Sequence, residues 1–88
     1  MNPIDYSELA SGAVVMYGTD WYPYCKKWKS LFDERGITYV EYNVEQSEKR
    51  NQEFKQLGGR GVPLVVVGKE VIRGYNPNAV VVALKLLD

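Results

Sequence analysis

Ala13-Val14-Val15-Met16-Tyr17-Gly18, followed at once by Thr19-Asp20-Trp21-Tyr22-Pro23-Tyr24-Cys25, is the stretch on which the fold turns. Its first part is a short, unbroken apolar run ending at a glycine, the pattern of a strand buried on both faces and therefore central in its sheet. Its second part is a turn whose Pro23 suits the first position of a helix, where a missing N–H costs nothing. From Pro23 to Arg35 the pattern is helical: Cys25, Trp28 and Phe32 recur at i, i+3 and i+7, with Leu31 widening the stripe. Lys26, Lys27 and Lys29 take the opposite face, and Gly36 can close the helix in the left-handed conformation.

Working outward, Thr38 to Asn43 alternates and is rich in β-branched and aromatic residues, which predicts a second strand parallel to the first through a right-handed helical crossover. Ser47 to Leu57 is charged and amide-rich with Phe54 and Leu57 as its apolar pair, a surface helix ended by Gly58-Gly59. Leu64–Val67 and Glu70–Arg73 flank Gly68-Lys69, the two-residue connection of an antiparallel hairpin. Asn76-Pro77 caps and starts a last helix over Asn78 to Leu87. Val80-Val81-Val82 would suit a strand, but length and the cap decide for helix. A short helical turn over Ile4 to Leu9 is also expected. The result is an α/β domain, β-α-β-α-β-β-α, with a four-stranded mixed sheet flanked by helices, and residues 1–88 form a single domain.

The bulk numbers agree with this and narrow the function. At 88 residues, 45% hydrophobic and 25% charged, the chain has the size and composition of one ordinary globular domain. Lys plus Arg and Asp plus Glu both total 11, so no net field draws it to nucleic acid or to an anionic membrane. One cysteine closes no internal disulfide, and without histidine the usual zinc-ligand set is missing, so no metal is expected. Residues 1–11 lack the basic start and apolar middle of a secretory signal, and no run of about eighteen or more apolar residues occurs. A cytoplasmic monomer is the expectation.

Ligands of sheets with parallel strands bind beyond the strands' carboxyl ends, where the Tyr17-to-Cys25 connection lies. It places Cys25 in the first turn of a helix, where unpaired N–H groups and the positive end of the dipole favour a thiolate, and Lys26 and Lys27 add charge nearby. Against this, Cys25 shares its face with Trp28 and Phe32, and free cysteine is among the most buried residue types. Both readings of Cys25, reactive thiol and core side chain, stand at this point. Trp21, Tyr22 and Tyr24 likewise form either a contact surface or routine surface aromatics.

Trp21-Tyr22-Pro23-Tyr24-Cys25-Lys26 resembles the C-P-Y-C-K signature of glutaredoxins, with Tyr22 where that family has its first cysteine. Gly61-Val62-Pro63 stands where glutaredoxins and thioredoxins carry a cis-proline before the third strand, against the alternative of an ordinary trans proline. Gly74-Tyr75-Asn76-Pro77 is similar to the Gly-Phe-x-Pro run of glutaredoxin-like proteins that reduce ribonucleotide reductase. The resemblance covers Ala13 to the C-terminus. It implies a thioredoxin fold and a thiol–disulfide oxidoreductase whose substrates are glutathione or protein disulfides. It also implies a groove in which Val62 offers its main chain beside Pro63, Gly74 admits close backbone approach, and Tyr24 and Tyr75 line the ligand. Asn76, a helix cap in any case, starts a helix whose N–H groups suit a glutathione carboxylate. Lys26 and Arg60 are the basic candidates for the same kind of contact, each otherwise an ordinary solvated side chain.

In that family the first cysteine is the nucleophile and the second resolves the mixed disulfide. A phenol at position 22 attacks no disulfide, and one thiol stores no electron pair as a disulfide, so dithiol exchange is excluded. The family's monothiol and iron–sulfur roles also use the first cysteine and do not transfer to Cys25. The expectation is therefore a glutaredoxin-like redox protein with a degenerate Y-P-Y-C site and weak or lost exchange through Cys25. The alternative is a non-catalytic peptide- or protein-binding module using the same groove.

Overall fold

In the computed structural model, which describes residues 14–86, the apolar run forms strand β1 (Val14–Gly18). Helix α1 (Pro23–Glu34) begins on Pro23, with Tyr22 extended at the N-cap, and ends through Arg35 and Gly36, whose φ of 65° is the left-handed closure. Strand β2 (Val40–Asn43) starts two residues later than the alternation predicts. Tyr39 is drawn instead against Phe32 of α1, with ring centroids 4.8 Å apart, and pairing begins only at Val15 opposite Val40. Helix α2 (Glu48–Gln56) is capped by Ser47, whose Oγ accepts the Arg50 N–H at 3.2 Å. Strands β3 (Leu64–Val67) and β4 (Glu70–Arg73) make the predicted hairpin, and helix α3 (Pro77–Leu86) is capped by Asn76 Oδ1, which accepts from Ala79 N–H at 3.3 Å. The turn expected over Ile4 to Leu9 lies outside the described residues.

The sheet order is β2-β1-β3-β4, with β1 parallel to β2 and the other neighbours antiparallel. Because side chains alternate along each strand, Val14, Met16, Val65, Val67 and Ile72 face one side, where they bury Cys25, Trp28 and Phe32 of α1 and Val80, Ala83 and Leu84 of α3. Tyr17 and Leu64 face the other side and pack with Val44 and with Phe54 of α2. This burial overrides the strand preference of Val80-Val81-Val82, since Val80 with Ala83 and Leu84 supplies the inner face of a helix.

The register also decides where chemistry can occur. Tyr17 at the carboxyl end of β1 pairs with Leu64, the first residue of β3, and Leu64 pairs with Arg73, the last residue of β4. The connections Thr19–Tyr22, Arg60–Pro63 and Gly74–Asn76 therefore gather at one end of the sheet.

Candidate functional site

Cys25 sits at this end but inside the protein, 0% exposed in the cluster that contains Val14, Met16 and Trp28. A Cβ on Gly18 would come within 2.8 Å of its Sγ, so a glycine lets α1 lie directly on β1 at this point. Of the two readings of Cys25, the packing is that of a core side chain. Tyr22 is half-buried on the rim of the same cluster, and its carbonyl accepts the N–H groups of Cys25 and Lys26 at 3.1 and 3.4 Å.

Around Tyr22 the aromatics form a continuous row. Trp21 meets Tyr22 edge-on at 5.9 Å, Tyr22 meets Tyr24 at 6.3 Å, and Tyr24 meets Tyr75 at 6.1 Å. Both ends are tied down. Trp21 Nε1–H donates to Glu45 Oε1 at 2.9 Å, while Tyr75 lies 4.9 Å from buried Trp28, whose Nε1–H donates to the Gly74 carbonyl at 3.0 Å. The Lys27 ammonium stands 5.0 Å over the Tyr24 ring and 5.8 Å over that of Tyr75, a cation–π geometry. The sequence marks Lys26, with Arg60, as the candidate for a carboxylate contact and gives Trp28 a core role alone. A buried indole needs an acceptor for its N–H, and that requirement was the available signal for the link to the Gly74 loop.

The remaining candidates differ in how they join. The Val62–Pro63 bond is cis; Pro63 is buried, Val62 is half-buried between the two core clusters, and no main-chain hydrogen bond of Val62 occurs among the described residues. Gly74 has φ of 70° and open space where a Cβ would be, so its conformation is what calls for glycine. Lys26, Lys27, Glu34 and Tyr75 line a shallow groove of about 350 Å³. Asn76 is committed to capping α3, and Arg60 is exposed on its segment with no ion pair among the described residues.

The sequence profile of the glutaredoxin family matches residues 14–72, which includes the whole β1–α1 connection and the Val62–Pro63 turn. The chain belongs to the glutaredoxin family. Among relatives of this glutaredoxin-like redox protein is a glutaredoxin-like 8.6 kDa protein of a rubredoxin operon in Clostridium pasteurianum, 31% identical over 72% of this chain and 85% of the other. The structure of the glutaredoxin-like NrdH-redoxin from Escherichia coli superposes with a TM-score of 0.70 at 21% identity, covering 76% of this chain and 88% of that one. A buckwheat glutaredoxin–glutathione complex gives 0.68 at 22% identity, covering 92% and 84%. The thioredoxin fold expected from the motifs is borne out, and no helix among the described residues is long and apolar enough to cross a membrane.

On the opposite face, this glutaredoxin-family sheet carries a polar cluster that sequence reasoning missed. Tyr17 OH donates to Glu53 Oε1 at 3.1 Å, Arg50 grips both Glu53 oxygens at 3.0 and 3.1 Å, and the guanidinium lies 3.7 Å over the Tyr42 ring. Burial, and then the neighbouring carboxylate, push the Tyr17 phenol up to about 12, while the hydrogen bond from Arg50 holds the Glu53 carboxyl below its usual range. A pair 36 residues apart leaves no local signature in the chain.

Proposed function

We propose that this protein binds glutathione, or an extended peptide containing cysteine, in the groove at the carboxyl end of β1, and that its own thiol–disulfide exchange is weak or lost. As a family, glutaredoxins are glutathione-linked, and they act on glutathione or protein disulfides. One observation carries the proposal: Cys25 is 0% exposed beneath Gly18, whereas Tyr24 and Tyr75 remain open to solvent at 45% and 37%. The surface that meets a ligand is kept while the thiol that would attack it is enclosed. Disulfide reduction begins with in-line attack of a thiolate on sulfur, which an enclosed thiol does not reach and a phenol does not perform.

The residues of the groove have separate tasks in this reading. The main chain of Val62, which makes no hydrogen bond among the described residues, pairs beside Pro63 with the extended backbone of the ligand, and Tyr24 and Tyr75 cover its side. Gly74 leaves room for close approach, while Lys26, Arg60 and the α3 N-terminus behind Asn76 attract carboxylates. Tyr22 occupies the place of the family's nucleophile.

Titration with reduced glutathione, followed by amide chemical shifts, tests the binding, and a glutathione-coupled disulfide reduction assay tests the chemistry. Shifts confined to Tyr24, Val62, Gly74 and their neighbours, with turnover no higher than background, support the proposal. Turnover that disappears in Cys25→Ser overturns the loss of exchange, and an absence of shifts both at millimolar glutathione and with an extended cysteine-containing octapeptide overturns the groove.

A further inference from the structure

We infer that the row Trp21–Tyr22–Tyr24–Tyr75 is a platform for an extended acidic protein segment of five or six residues, rich in proline or aromatic side chains, rather than for a free tripeptide. This rests on the proposed groove and names its occupant. The first ground is length. Three ring-to-ring steps of 5.9, 6.3 and 6.1 Å give a row of up to about 18 Å, whereas an extended chain advances about 3.3–3.6 Å per residue and a tripeptide covers little more than half of that.

The second ground is exposure combined with order. Trp21 is 63% exposed and makes a solvent-exposed hydrogen bond to Glu45, while Tyr75 is held against buried Trp28, which is itself tied to Gly74. Large rings fixed in advance lose little conformational entropy on binding, and such aromatics dominate binding surfaces. Proline rings and aromatic side chains of an extended peptide stack on such a row, as they do in grooves that recognise proline-rich segments.

The third ground is charge. Lys27 is exposed and has no carboxylate partner among the described residues, although it stands over two rings of the platform. Glu45 stands at the Trp21 end of the row, whereas at the Tyr24–Tyr75 end Lys26 and Lys27 outnumber Glu34 in the groove they share, so the ligand's carboxylate belongs at that end, over the Lys27 ammonium. The main chain of Val62, without a hydrogen bond among the described residues, lies at the same end of the sheet, so an extended segment can add its backbone there while its side chains cross the rings.

Selection from a random octapeptide library displayed on phage tests this, with a glutathione titration run on the same protein. The expected winners carry proline or aromatic residues together with Asp or Glu, and their affinity falls about ten-fold in Trp21→Ala. In Lys27→Glu the selection is expected to change to peptides carrying Lys or Arg, a reversal that a merely structural lysine would not produce. Circular dichroism confirms that both variants fold. Winners without that composition, binding indifferent to both substitutions, or self-association that Trp21→Ala abolishes would each overturn the inference. If glutathione binds and no octapeptide does, the platform fails while the groove stands; if neither binds, both fail.

Discussion

Gly18 and Cys25 show how one contact decides what a residue can do. With its Sγ 2.8 Å from where a Cβ of residue 18 would stand, Cys25 fills the gap between β1 and α1 that a glycine leaves. Gly18→Ala is therefore expected to destabilise the fold by about 1–3 kcal/mol through overpacking, and by much less in a Cys25→Ala background, because the two changes share one space. Urea denaturation of the four proteins measures the coupling; additive effects would mean that the strain arises elsewhere. Position 22 differs, since Tyr22 is half-buried at the N-cap, where a thiol would face the unpaired N–H groups of the first turn. Tyr22→Cys is expected to raise glutathione-coupled disulfide reduction from background to clear turnover, and a folded but inert variant would show that position 22 is not the nucleophile's place.

Helix α3 shows what a local pattern can and cannot say about an element. Its cap was legible, because Asn76-Pro77 is a start signal with a stated mechanism, whereas the three valines that follow prefer strand by local propensity. Tertiary burial settles the matter unevenly: Val80 is buried and Val82 is 57% exposed. Two substitutions on one helix should thus act in opposite directions. Asn76→Ala is expected to cost about 1 kcal/mol by removing the acceptor for Ala79 N–H, and Val82→Ala to gain about 0.5 kcal/mol by relieving a β-branched residue at a solvent position. Thermal unfolding of both variants checks the signs. Strand β2 shows the converse error, where alternation ran two residues too far because Tyr39 packs on α1, a contact that strand periodicity does not encode.

Across the whole molecule, what was legible followed the chain and what was missed joined distant parts of it. The β1–α1 connection, the Gly61-Val62-Pro63 turn and the hairpin are local signals, and they place the candidate site. The cluster of Tyr17 on β1, Tyr42 on β2 and Arg50 and Glu53 on α2 ties three elements together through contacts that no window of sequence contains. Its pH dependence has a definite sign. In the unfolded chain Tyr17 titrates near 10, whereas in the folded protein burial and the adjacent Glu53 carboxylate push it up to about 12. The folded state then keeps a proton that the unfolded state releases, so stability is unaffected below about pH 10 and falls as pH rises toward 12. Two units correspond to a loss on the order of 2–3 kcal/mol at the upper limit. Arg50 works against the shift, and Tyr39, raised by its own burial, adds a loss of the same sign. The informative quantity is hence the difference between wild type and Tyr17→Phe. The variant should lose about 1 kcal/mol at pH 8, where the hydrogen bond to Glu53 is removed, and should then decline less steeply than wild type between pH 10 and pH 11.5. Urea midpoints measured at pH 8, 10 and 11.5 decide it: parallel declines in the two proteins would mean that Tyr17 does not hold its proton through that range, and that the tie between α2 and the sheet is weaker than its geometry implies.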